Sequence, residues 1–156
     1  MKSRNTLLLF LALYLLVVTL AMAAEYTVKA PEGWKKHTAS SAPEHYMKNG
    51  SSLMLTIDSV PAEAKTPDTY VEYVKKLLQK SFKNVQFEPV IKRTINGADA
   101  RELCYTAEMS GMKMKYDVVY VLKQTKAYTL TAGGMAEMFD SMKADYQAFF
   151  NSFKLN

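Results

Sequence analysis

The residues from Val85 to Gly134 constrain the fold more than any other stretch, because alternating apolar runs there are separated by short turn signals. Asn96-Gly97 lies between two such runs, and an Asn-Gly pair favours the positive φ angles of a two-residue hairpin turn. Ser110-Gly111 and Gln124-Thr125-Lys126 mark two further turns. The spacing predicts four strands in a meander. In the first run Val85, Phe87, Ile91, Arg93 and Ile95 share one side. In the second, Leu103, Tyr105, Ala107 and Met109 do so, with Glu102, Thr106 and Glu108 opposite. In the third, Met112, Met114, Tyr116, Val118, Tyr120 and Leu122 stand against Lys113, Lys115 and Asp117. Side chains alternate faces along a strand, so each run offers an apolar face to a core. Val119 and Val121 interrupt the polar side of the third run, which predicts that part of the second face is covered too. Pro89 cannot donate to a ladder and predicts an edge strand or a bulge.

The chain of 156 residues is long enough for one domain with a proper core. Its first part reads as a targeting segment. Lys2 and Arg4 precede an uncharged apolar run from Leu7 to Leu20, and Ala21-Met22-Ala23 and Met22-Ala23-Ala24 offer small residues for cleavage. This is the pattern of a secretory signal peptide over residues 1–24, followed by one domain over residues 25–156. The expected location is periplasmic or extracellular after cleavage. The alternative is an N-terminal anchor in the inner membrane, since 6–24 is just long enough to span. Without Lys2 and Arg4 the chain carries 18 basic and 15 acidic residues, a net charge of +3. That is no nucleic-acid-binding stripe. Cys104 is the one cysteine, so no internal disulfide forms. Its place between Leu103 and Tyr105 predicts a buried, inert thiol.

From the mature end, residues 25–30 alternate as a first strand. Pro31-Glu32-Gly33-Trp34 turns and delivers the lone Trp as a core anchor, and 35–39 continue as a second strand. Asn49-Gly50 predicts another hairpin, with Leu53, Leu55 and Ile57 on its apolar side. Thr66-Pro67-Asp68 opens a helix: Thr66 as N-cap, Pro67 at the first position, Asp68 favourable to the dipole. Tyr70, Val71, Val74, Leu77, Leu78 and Phe82 recur on one helical face, and Lys75, Lys76 and Lys80 fall among its polar positions. Residues 127–132 form the fourth strand of the meander, ended by Gly133-Gly134. A second helix carries Met135, Met138, Phe139, Met142, Tyr146, Phe149, Phe150 and Phe153, with an interruption near Asp140-Ser141.

The order of these signals resembles the PsbP-like family. The exported start, the Pro31-Glu32-Gly33-Trp34 turn, the Asn49-Gly50 hairpin and the Thr66-Pro67-Asp68 helix opening carry the resemblance. The Asn96-Gly97 hairpin and the closing Ser152-Phe153-Lys154-Leu155 complete it. The resemblance implies an α+β fold, an α/β/α sandwich with a central antiparallel sheet flanked by helices. Members include an extrinsic subunit of photosystem II, a Ran-GTPase-binding protein and periplasmic proteins such as DcrB, and they act as binding or assembly factors. It implies no site residues for this chain.

The residues themselves offer little chemistry. His37 and His45 are the only histidines, and no nucleophile elbow, phosphate loop or zinc-spaced Cys/His set is present. The expected function is therefore a non-catalytic binding or assembly factor of the cell envelope, without a cofactor, acting through a protein surface. The partner is a protein or envelope component. Nucleic acid is not expected, and a membrane is touched only through an uncleaved signal segment. The expected partner-binding residues are Lys75, Lys76 and Lys80, on the basic side of the helix. Two alternatives stand beside this reading. One is a periplasmic Cu(I)-binding protein using Met109, Met112 and Met114, because thioethers select Cu(I). The other is a small hydrolytic enzyme.

Overall fold

The computed structural model describes residues 25–156, so the expected signal peptide lies outside the described residues. The strands are β1 (Tyr26–Thr27), β2 (Lys35–Lys36), β3 (Glu44–Lys48), β4 (Ser51–Ser59), β5 (Lys83–Phe87), β6 (Ile91–Ile95), β7 (Ala98–Met109), β8 (Met112–Lys123), β9 (Lys126–Met135) and β10 (Lys154–Leu155). Helix α1 (Pro67–Ser81) follows β4. After β9 come α2 (Ala136–Phe139), a 3-10 turn (Asp140–Met142) and α3 (Lys143–Ser152).

Eight strands form one antiparallel sheet in the order β2-β3-β4-β9-β8-β7-β5, with β6 also on β7. The predicted Asn-Gly and Ser-Gly turns are all present. Asn49-Gly50, Asn96-Gly97 and Ser110-Gly111 each hold two successive positive φ angles, as the two-residue hairpin demands. At the Gln124-Thr125 turn only Gln124 is positive, at φ 56, and Lys126 already pairs with Lys123.

Both faces of the sheet carry a core, and Val119 and Val121 lie on the second face as expected. One core lies under α3: Leu53, Leu55, Val119, Val121, Leu130 and Tyr128 meet Tyr146, Phe149, Phe150 and Phe153. The other lies under α1: Leu103, Tyr105, Val118 and Tyr120 meet Tyr70 and Val71. This is the α/β/α sandwich expected for an α+β chain. Trp34 is buried in the first core, and its indole N–H donates to Asp145 at 2.8 Å.

Several expectations need correction. The run from Val85 to Ile95 is two strands, not one. Its halves face opposite cores: Val85 and Phe87 pack under α1, whereas Ile95 is in the α3 core and Arg93 reaches Gln147 and Asn151 of α3. From Phe87 to Ile91 the chain advances four residues, while their partners Tyr105 and Glu102 are three apart. That one-residue bulge around Pro89 flips every later side chain to the other face. The first two strands are only two residues long, because β1 finds its partner in the two-residue β10 and β2 pairs only with Tyr46 and Met47. Gly133-Gly134 does not end the strand. Both glycines are ladder residues of β9, paired with Tyr116 and Lys115, and Met135 is the last residue of β9 rather than a helical one. Met138 and Leu77, expected on apolar seams, are 40% and 42% exposed.

Candidate functional site

The face of the sheet under α1 is only half covered. The helix crosses β5, β7 and β8 and reaches β9 only at Ala127 and Thr129, leaving the rest of β9, with β4 and β3, open on that side. Its N-terminus is fixed firmly. Thr66 Oγ1 accepts from the Thr69 N–H, and Thr69 Oγ1 accepts from the Thr66 N–H, a reciprocal cap. Asp68 takes a two-pronged contact from Arg101, whose guanidinium is buried and also donates to Asp99. Those carboxylates raise the Arg101 pKa further, and Arg101 in turn holds the Asp68 carboxyl below its ordinary range.

The three candidate lysines do not lie together. Lys75 leans toward β5, ion-paired with Glu72 at 2.8 Å and lying 5.8 Å from the centre of the Phe87 ring. Lys76 and Lys80 are exposed one turn apart on the opposite flank, next to Tyr73 and Leu77 by helical spacing. Beside that flank runs a groove of about 430 Å³. Tyr73, Val74 and Leu77 form its helical wall, and Thr56, Thr129 and Thr131 form its floor on β4 and β9. The short threonine side chains leave this space open beside the helix.

The candidate methionines do share a face. Met109 and Met112 pair across the β7–β8 turn, and Met114 pairs with Met135 of β9. Met109 is 40% and Met112 52% exposed, so this hairpin tip is soft and accessible. Met114 is half-buried.

No protein-family model and no curated protein matches the sequence. Solved structures do match the fold. LpqN of Mycobacterium tuberculosis, described as involved in cell envelope biogenesis, superposes with a TM-score of 0.67 at 13% identity, over 84% of this chain and 83% of its own. Cyanobacterial PsbP from Synechocystis superposes with a TM-score of 0.58 at 15% identity, over 85% of this chain and 87% of its own.

The fold is PsbP-like.

PA94 of Pseudomonas aeruginosa, a protein of unknown function described as a putative regulator, shares it with a TM-score of 0.60 at 15% identity, over 83% and 96% of the two chains. At such identities the likeness speaks for architecture.

On this PsbP-like sheet the nucleophile and the imidazoles stand apart. Cys104 pairs with Asp117 on the α3 face, whereas His45 pairs with Met54 on the α1 face, so no Cys–His dyad forms. Cys104 is half-buried rather than fully enclosed. Burial, then the Glu88 carboxylate, pushes its thiol up to about 12, which keeps it protonated and inert. Among the described residues no group of three or more His, Cys, Asp or Glu side chains is placed to hold a metal ion.

Two features escaped sequence reasoning. Asp117, read as a solvent-facing residue, is buried with its Oδ1 unpartnered. Burial and the neighbouring Glu102 raise its pKa, with Gln147 donating to its other oxygen at 3.3 Å. His37 and His45 also meet, their ring centres 4.9 Å apart. Their eight-residue separation gives no hint of this, because the pairing of β2 with β3 depends on the 40–43 loop.

Proposed function

We propose that this protein is an exported, non-catalytic binding or assembly factor of the cell envelope. It engages a protein partner along the outer flank of α1. The observation that carries this is the position of Leu77, 42% exposed at the rim of an apolar-walled groove and framed by Lys76 and Lys80. A large exposed aliphatic side chain beside cations suits an amphipathic, acidic segment of a partner, which would fill the groove and face the lysines. Export is supported by Lys2, Arg4 and the Leu7 to Leu20 run, and an envelope role by the fold shared with LpqN. A non-enzymatic role is supported by the separation of Cys104 from both histidines.

The test is crosslinking and capture of envelope proteins with the wild type and with Lys76→Glu/Lys80→Glu. Capture should fall in the double reversal and in high salt, as screened surface charges require. Stability should stay within about 0.5 kcal/mol, because both positions are exposed. Lys75→Glu serves as the internal control and should leave capture intact. Capture that survives both the double reversal and high salt would remove this surface from consideration.

A further inference from the structure

The open part of the α1 face carries a row of donors. β2 pairs with β3 so that His37 lies beside His45, with the His37 N–H donating to the His45 carbonyl at 2.7 Å. β3 pairs with β4 so that His45 lies opposite Met54. Counting back from the two-residue turn at Asn49-Gly50, His45 and Met54 form a non-hydrogen-bonded pair, in which the Cα atoms come within about 4.5 Å and side chains are closest. All three side chains rise from the same face. The two imidazoles already meet, with ring centres 4.9 Å apart at an angle of 73°.

The donors are uncommitted. His45 Nδ1 is enclosed without a hydrogen-bond partner, an unusual state for a half-buried imidazole. Neither ring accepts or donates a side-chain hydrogen bond among the described residues. The row holds no carboxylate, since Glu44 points to the other face and bonds Lys36 and Tyr46. On the adjacent row Lys35 pairs with Met47. A neutral set of two imidazoles and a thioether, beside a lysine, disfavours hard divalent cations. It suits a soft monovalent one.

We propose that His37, His45 and Met54 form a copper(I) site on the open face of the sheet. The site is independent of the α1 flank and of the methionines at the β7–β8 tip. His37 and Met54 flank His45 on neighbouring strands, and each imidazole would bind the ion through a ring nitrogen, in the plane of its ring. Met47, two residues along β3 from His45 and on the same face, supplies a second thioether within the same patch.

The test is an anaerobic titration of the purified protein with Cu(I) against a chromophoric chelator, with Zn(II) alone in parallel. The wild type should take up one Cu(I) per chain, and His37→Gln/His45→Gln should not. Met54→Leu should weaken Cu(I) by about tenfold or more while leaving Zn(II) binding unchanged, as loss of a soft ligand requires. X-ray absorption should show nitrogen and sulfur neighbours, with sulfur lost in Met54→Leu. His45 is half-buried, so His37→Gln alone, at an exposed position, provides the variant whose fold is not in question. It should weaken Cu(I) with an unchanged circular dichroism spectrum. Failure of the wild type to compete for Cu(I), or undiminished binding by His37→Gln or by the double variant, would overturn the proposal. So would loss of copper on Met109→Leu/Met112→Leu/Met114→Leu instead, which would move the site to the hairpin tip.

Discussion

The Tyr116 ring stands where Gly133 would carry a Cβ: its Cδ1 and Cε1 atoms lie 2.8 Å from that position. The ring is held there by stacking on Tyr105, centre to centre 5.0 Å. Gly133 is therefore a space-making residue inside β9. Gly133→Ala should cost about 1–3 kcal/mol, the usual range for overpacking. Urea midpoints would show it. Adding Tyr116→Ala should restore part of the loss, and additive effects of the two changes would mean the ring is not what excludes the methyl group.

Asp145 anchors the N-terminal turn to α3. Its Oδ2 accepts from Trp34 at 2.8 Å and from Lys48 at 2.9 Å. Those two donors, Lys48 first, hold its carboxyl below the ordinary range. A depressed carboxylate contributes stability that is present above its unfolded value and lost as pH falls through the folded one. The contribution should thus disappear below about pH 4. Asp145→Ala should cost about 1 kcal/mol at neutral pH, because the site is partly exposed. Trp34 fluorescence reports the change directly. An Asp145→Ala spectrum and denaturation curve matching wild type at pH 7 would contradict the anchor.

Asp117 gives the opposite pH dependence. Burial and Glu102 raise its pKa, so the fold prefers its protonated form. Above the unfolded value near 4, the folded chain keeps a proton that the unfolded chain has lost, and stability falls as pH rises across that window. Asp117→Asn mimics the protonated acid and keeps an acceptor for Gln147. The variant should gain on the wild type by about 1 kcal/mol as pH rises from about 4 toward neutrality. A difference that stays constant with pH would mean that Arg93, which pairs with Glu102, keeps Asp117 ionised throughout.

Thr66→Ala removes one half of the reciprocal cap with Thr69. It should destabilise the fold by about 1 kcal/mol through the loss of the N-cap. Thr66→Ser, which keeps the hydroxyl, should recover most of that. Equal denaturation midpoints for wild type and Thr66→Ala would show that the Arg101 clamp on Asp68 alone positions α1.

Local patterning alone determined the hairpins at Asn49-Gly50, Asn96-Gly97 and Ser110-Gly111, the start of α1 at Thr66, and the two-faced burial of β8. Turn residues, caps and side-chain alternation act over a few positions, so a single stretch contains the whole cause. The tertiary structure decided what depends on partners far along the chain. A one-residue bulge at Pro89 sent Val85 and Ile95 to opposite cores. Strand neighbours 17 or more residues distant, and α3 beyond them, turned Gly133-Gly134 from an apparent turn into a close-packing site. The candidate surfaces divide the same way. That Lys76 and Lys80 are basic and helical was legible, but the loss of Lys75 to Glu72 and Phe87 was not, because only the docking of β5 beside α1 supplies that ring. Helical spacing marked Leu77 as apolar. Its exposure follows from where the helix ends its contact with the sheet, a distance that no local pattern encodes. The meeting of His37, His45 and Met54 likewise comes from strand register across β2, β3 and β4, which the chain adopts only once the sheet is assembled.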